Sequence, residues 1–322
     1  MTLRIRTASR LHFGLLGWGP FVRRQFGGVG LMVEAPGLEV LAEPAARFEA
    51  VGPLAGRVAP LLDRISERWD APRPIVPIRV EVARAPAEHT GLGVGTQLGL
   101  AVARLALAAA GVESPTWETL ARLSERGRRS GVGLHGFLHG GLIVDAGHRT
   151  PGDVPPLVSR LEFPEEWSIL VARPPAPPGR HGGAEVAAFA ELPPVSEELT
   201  GRLCRLVLMD LLGAVACRDL AAFGEALGAI QREVGTAFAP AQGGVYASPA
   251  CEALVDDLGR LGLSGAGQSS WGPSIYAFGE LGEEERAAVA EHLRARHGLG
   301  PEAVAWTHAR NRGAELSEAP ES

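Results

Sequence analysis

Apolar and polar residues alternate from the start of the chain. Leu3-Arg4-Ile5-Arg6-Thr7 and the stretch Leu11 to Leu16 predict strands; after a hinge at Gly27-Gly28, the apolar runs Val29 to Val33 and Leu38 to Leu41 predict two more. Apolar residues at helical spacing from Val58 to Trp69 predict a helix, whereas Pro77-Ile78-Arg79-Val80-Glu81-Val82 alternates with period two and predicts a strand. Beyond a glycine loop at 91–95, Gln97 to Ala110 is apolar almost all round, the pattern of a buried central helix, and a second helix covers about 116–126. Gly140-Gly141-Leu142-Ile143-Val144-Asp145 reads as a glycine turn feeding a short strand.

Proline, glycine and charge concentrate at 147–156, which marks a boundary between a domain at 1–156 and another at 157–322. The second half predicts a strand at Trp167 to Ala172, helices near 197–217, 220–234, 249–260 and 281–296, strands at 274–278 and 304–308, and a frayed tail over 313–322. The expected fold class is α+β, a two-layer α/β arrangement whose second domain is an open α/β sandwich, with no internal repeat.

Composition narrows the chemistry. Across 322 residues, 46% of them hydrophobic, the 31 basic side chains other than histidine are all arginine. Without lysine there is no amine for a Schiff base and no Walker-type loop lysine, so an anionic ligand must be met by arginines, backbone amides or a metal. A formal charge of −6 argues against a nucleic-acid surface. Three scattered cysteines, Cys204, Cys217 and Cys251, fit reduced thiols better than a disulfide framework or a structural zinc site. No apolar run is long enough to span a membrane, and a cytoplasmic location is expected.

Four segments could carry chemistry. In His89-Thr90-Gly91-Leu92-Gly93-Val94-Gly95-Thr96-Gln97, glycines permit tight turns and the following helix presents its positive end, an arrangement that can cradle a phosphate; a tight helix start capped by Thr96 is the competing reading. Arg126 to Gly141 holds Arg128, Arg129, Ser130, His135 and His139, where guanidinium forks match phosphate oxygens and a histidine can move a proton, or where basic residues simply face solvent at a helix end. Near the start, Arg10 and His12 share a strand face by parity and could enter one cleft, with Arg23 and Arg24 close behind; His12 could equally be a hydrogen-bonded core residue. Gly265-Ala266-Gly267-Gln268-Ser269-Ser270-Trp271-Gly272-Pro273 is too rich in glycine and hydroxyls for an ordinary strand and suggests a ligand-facing loop, or a turn with Trp271 packed beneath it. If a polyphosphate needs magnesium, Asp145 and Glu185 are the candidate oxygen ligands, although no Asp-x-Asp cluster marks a site.

Taken in order, Ser9 to Gly14, Gly91 to Gln97, Ser130 to Gly141, His181 to Glu185, Ala241-Gln242-Gly243-Gly244 and Gly267 to Pro273 resemble the β-ribofuranosylaminobenzene 5'-phosphate synthase family, a branch of the GHMP kinase superfamily. The resemblance covers nearly the whole chain, and its Gly-Gln-Ser-Ser-Trp-Gly-Pro run is far more specific than the glycine loop. It implies an N-terminal domain like ribosomal protein S5 domain 2 and a GHMP-type C-terminal domain. It also implies a magnesium-dependent homodimer that couples phosphoribosyl pyrophosphate to 4-aminobenzoate or 4-hydroxybenzoate in tetrahydromethanopterin biosynthesis, releasing carbon dioxide and pyrophosphate.

On this reading His12, His135 and Arg10 are the candidate catalytic residues. Gly91, Gly93, Val94, Gly95, Thr96 and Gln97 would bind substrate or its phosphates, together with Arg23, Arg24, Arg129, Ser130, Gly267, Gln268, Ser269 and Ser270. Kinases of the superfamily often carry Ser-Gly-x-Asp where this chain has Ser130-Gly131-Val132-Gly133, so the phosphoryl-transfer carboxylate is missing. An ATP-dependent small-molecule kinase and a non-catalytic phosphate-binding homologue are the alternatives.

Overall fold

The computed structural model describes residues 1–71, 73–127, 129–175, 179 and 182–319, and the side chains of 182–186 lie outside that description. The alternation at 78–82 becomes strand β4 (Ile78–Arg84), with Ile78, Val80 and Val82 buried and Arg79 and Glu81 partly exposed. It belongs to a sheet in which β1 (Leu3–Leu15) pairs with β2 (Gly28–Pro44) and β2 with β4, both antiparallel, while β3 (Glu49–Val51) pairs parallel to β4. Strand β5 (Leu142–Asp145) pairs with the first part of β2 and with β6 (Leu157–Leu161). Helices α1 (Ala55–Arg68), α2 (Val94–Ala109), α3 (Trp117–Ser124) and α4 (Val132–His139) pack with this sheet, and α2 is buried nearly all round, as its composition predicts.

A second sheet, in the order β10-β7-β9-β8, is antiparallel throughout: β7 (Ser168–Ala172), β8 (Ser264–Gln268), β9 (Ile275–Gly279) and β10 (Val304–Thr307). Period-two alternation sends its side chains into two cores. Leu170, Ala172, Ile275 and Ala277 pack with α9 (Pro249–Arg260) and α10 (Glu283–His297). Ile169, Val171, Tyr276 and Phe278 join Phe223, Leu227 and Ile230 of α8 (Leu220–Gln242), together with Leu11, Phe13 and Leu31 of the first sheet. That shared core locks the two sheets together. The helical pattern over 197–217 is a continuous run of α6 (Glu197–Arg205), a π-helical turn at Leu206–Leu211 and α7 (Leu212–Cys217).

Several elements differ from the sequence expectation. The tail is not frayed through 313–322: β11 (Glu315–Glu318) pairs antiparallel with β1, and Ala314 and Leu316 pack on the first core. Strand β6 and helix α5 (Gly182–Glu191) carry no clear period in the sequence. The glycine-rich 264–268 segment is strand β8 after all, because close approach of α8 requires its small residues: a Cβ on Gly267 would lie 2.6 Å from the Gln231 side chain.

Candidate active site

A cleft of about 480 Å³ opens at the junction of the two sheets. Arg10, His12, Phe13, Gly14 and Leu15 of β1 line it, and so do Thr96 at the start of α2, Ser124 at the end of α3, and Glu125, Arg126, Gly127, Arg129 and Ser130 between α3 and α4. Arg64 comes from α1, Phe189 from α5, and Gln231, Val234, Gly235, Phe238 and Gln242 from α8; Val245, Gln268, Ser270 and Trp271 complete the lining. Arg10 and His12 enter it together, as strand parity predicts, and a bulge between His12 and Gly14 twists the strand where Phe13 to Leu15 also face the opening.

The lining is divided by chemistry. Arg10, Arg64, Arg126 and Arg129 supply cationic groups. Phe189, Phe238 and Trp271 form an edge-to-face box, with ring centroids 4.7 Å apart for Phe238–Trp271, 5.5 Å for Phe189–Trp271 and 5.7 Å for Phe189–Phe238. Arg129 links the two sectors, its guanidinium carbon 5.0 Å from the Phe189 ring centre.

The Gly-Gln-Ser-Ser motif works chiefly as a bracket. The fully buried Ser269 hydroxyl donates to the Gly91 carbonyl at 2.8 Å and accepts the His12 N–H at 3.0 Å, while Ser270 N–H donates to the His12 carbonyl. Gln268 donates to the Ser270 carbonyl and accepts the Ala247 N–H. From α8, Gln231 donates to the Phe13 carbonyl and accepts the Gln268 N–H, tying both sheets at one side chain. These bonds hold the glycine loop and the Arg10–His12 strand in a fixed relation.

Within the glycine loop only Thr96 lines the cleft. Gly93, not Thr96, is the cap of α2, with φ 73° and no side-chain cap, and a Cβ there would lie 3.2 Å from Arg10 Cβ and 3.3 Å from its Nε. Gly91 passes under the Ser269 carbonyl, Gly95 lies beneath the Arg57 guanidinium, and Val94 is buried. Gln97 donates to the Gly133 carbonyl and so fastens α2 to α4.

Asp145 sits behind the cleft. Its Oδ2 accepts from Ser130 Oγ and Gly131 N–H, each at 2.8 Å, and its Oδ1 accepts from Gly147 N–H at 2.8 Å. Burial pushes its pKa up to about 6 against the opposing pull of these donors and of the Gly28 N–H. Gly28 is a feature that motif reading missed: a Cβ there would meet Ser130 Oγ at 2.5 Å and both Asp145 Oδ2 and His12 Nε2 at 3.1 Å. The bare glycine face lets these three groups converge. Burial, then the nearby Arg10 charge, holds the His12 pKa well below its ordinary value, so its imidazole is neutral near pH 7.

Other sequence candidates lie elsewhere. His135 is buried outside the cleft lining, its Nε2 2.8 Å from the Pro155 carbonyl and its ring beside Trp117. Arg23 and Arg24 are exposed and also outside the lining, with Arg24 donating to the carbonyls of Ala146 and Gly147. Among the described residues no three His, Cys, Asp or Glu side chains gather to hold a metal ion, and Asp145 has its carboxylate turned to hydroxyl and amide donors, so these residues do not fit a protein-built magnesium site. The Glu185 side chain, and Arg128 and His181 entirely, fall outside the described residues.

The family described as GHMP kinases C terminal matches residues 209–297. The chain is 34% identical to the beta-ribofuranosylphenol 5'-phosphate synthase of Methanothermobacter thermautotrophicus, over 97% of this chain and 98% of that protein. It is 33% identical to the protein of the same name from Archaeoglobus fulgidus, over 98% and 99%. Among solved structures it is similar in fold to a putative homoserine kinase of Listeria monocytogenes, with TM-score 0.65, 16% identity and coverage of 98% of this chain and 100% of that one. Mevalonate diphosphate decarboxylase of Staphylococcus aureus also shares the fold, with TM-score 0.62, 12% identity and 98% coverage of each chain. Among the described residues no helix is long and apolar enough to cross a membrane.

Proposed function

This chain belongs to the beta-ribofuranosylphenol 5'-phosphate synthase family, and from that premise we propose that it joins C1 of phosphoribosyl pyrophosphate to the ring of 4-hydroxybenzoate, releasing carbon dioxide and pyrophosphate. The observation that carries this reading is the divided cleft, with arginines suited to phosphate groups beside an aromatic box suited to a planar ring. The phenol in the relatives' name favours a hydroxyl acceptor over the amine. A place in tetrahydromethanopterin biosynthesis is part of the same proposal.

In the proposed reaction Arg10, Arg126 and Arg129 neutralise charge that builds on pyrophosphate as the C1–O bond breaks. The ring, held against Phe189, Phe238 and Trp271, attacks C1 through the carbon that bears its carboxylate. That carbon then loses carbon dioxide, and the C–CO2 bonding pair returns to the ring to restore aromaticity. Neutral His12 orients the acceptor or carries its proton, and turnover unchanged in folded His12→Ala would remove it from this role. Magnesium enters as part of the donor substrate, carried by its pyrophosphate, and the protein is proposed to act as a cytoplasmic homodimer.

Incubation with magnesium, phosphoribosyl pyrophosphate and each acceptor in turn tests the reaction. Carbon dioxide and pyrophosphate in equal amounts with 4-hydroxybenzoate are the expected result. No product with either acceptor refutes it, and ATP consumption dependent on an alcohol substrate would support a kinase instead. Sedimentation as a monomer at assay concentration would remove the dimer.

A further inference from the structure

Among the described residues lining the cleft, Glu125 is the only carboxylate, set among four arginines. It is an unusual residue for its backbone position. Glu125 follows the last turn of α3 with φ 55° and ψ 37°, a left-handed conformation at a helix end where glycine is favoured, and its N–H closes the helix on the Ala121 carbonyl. Two arginines of α1 fix its carboxylate: Arg68 Nη2 lies 2.8 Å from Oε1 and Arg64 Nε lies 3.5 Å from Oε2. Glu125 Cα directly follows Ser124, and both Ser124 and Arg126 run alongside Gly99, one turn beyond the start of α2.

An ionised carboxylate only accepts hydrogen bonds, so it offers nothing to the oxygens of the pyrophosphate, the 5-phosphate or the benzoate carboxylate. Apart from the magnesium that travels with the pyrophosphate, it suits groups that donate a hydrogen bond. Those groups are the 2- and 3-hydroxyls of the ribose and the para hydroxyl of the acceptor. The acceptor ring has its own matching surface in Phe189, Phe238 and Trp271, which leaves the ribose hydroxyls for Glu125.

We propose that Glu125 is a specificity-determining residue that accepts hydrogen bonds from the ribose hydroxyls of the donor, so that the cleft selects a ribosyl over a deoxyribosyl substrate. The inference rests on the reading of the cleft as a phosphoribosyl site. Arg64 and Arg68 hold the carboxylate in place from the α1 side, and the left-handed turn delivers it to the cleft between Ser124 and Arg126. Arg10, Arg126 and Arg129 of the lining supply the cationic groups for the phosphates.

Calorimetry of the full chain with ribose 5-phosphate and with 2-deoxyribose 5-phosphate tests the proposal without requiring turnover. A hydrogen bond to a charged acceptor is worth about 1.5–3 kcal/mol, so the wild type should bind the ribose compound about 10–150-fold more tightly. In Glu125→Gln, whose amide oxygen still accepts a neutral hydrogen bond, the preference should fall by about five- to tenfold, even if removal of the charge tightens binding of both anions. Glu125→Gly suits the left-handed backbone, so it keeps the fold while also losing the preference.

Wild-type binding that ignores the 2-hydroxyl, binding of neither sugar, or variants that keep the full preference each overturn the proposal. So does a variant that instead loses discrimination between 4-hydroxybenzoate and benzoate. Carbon dioxide release is scored separately. Sugar discrimination without turnover would refute the proposed reaction while leaving the ribose contact standing, and turnover without sugar discrimination would do the reverse.

Discussion

Asp145 is fully buried, and the rise of its pKa from 3.8 to about 6 makes it a measurable source of pH-dependent stability. The main cause is loss of hydration on burial, opposed by the Gly147 N–H, the Ser130 hydroxyl and the N–H groups of Gly131 and Gly28. Because the folded chain holds this proton more tightly than the unfolded chain, folding takes up a proton between the two pKa values. Stability from this group is therefore complete below pH 4 and is lost as pH rises through 6. At about 1.4 kcal/mol for each tenfold change in proton affinity, the loss is about 3 kcal/mol.

Denaturant unfolding of the wild type and of Asp145→Asn at intervals from pH 4 to pH 8 measures it. The wild type minus variant difference cancels groups common to both proteins, and the constant cost of seating an amide among these donors moves the curve without changing its slope. A fall of about 3 kcal/mol in that difference, levelling off above pH 7, is expected. A flat difference, or one that rises with pH, would refute the account of Asp145 as a carboxylate dominated by desolvation.

Two further substitutions probe the framework around the cleft. Gly28→Ala places a methyl group 2.5 Å from Ser130 Oγ and should destabilise the fold by about 1–3 kcal/mol and lower turnover by displacing Ser130 and His12; unchanged turnover would show that their convergence is unimportant. Ser269→Ala leaves the His12 N–H and the Gly91 carbonyl without this hydroxyl and should cost about 1–3 kcal/mol in denaturant unfolding, whereas an unchanged midpoint would deny the bracket its structural role.

Local pattern made much of this protein legible before any fold was known. Period-two alternation at Ile78 to Val82 marked a strand, all-round apolarity from Gln97 marked a buried helix, and parity placed Arg10 and His12 on one face. Lack of lysine already required arginines, amides or a metal for any anion. Each of these conclusions depends on residues within one element, where backbone periodicity converts spacing directly into direction.

Tertiary structure decided how the elements meet. Phe189, Phe238 and Trp271 come from three distant segments, and no spacing along the chain announces that their rings share a box. His135 and Ser130 stand five positions apart, yet only Ser130 lines the cleft, because His135 turns to the Pro155 carbonyl from the buried helix α4. Gly28 and Glu125 gained their meaning only in three dimensions, one from the space a missing side chain leaves between His12, Ser130 and Asp145, the other from a left-handed turn held by two arginines of α1. Local patterning marked most of the elements and the kinds of charge available; the packing of two sheets on one shared core determined which side chains could act together, because that choice depends on long-range contacts that no local period encodes.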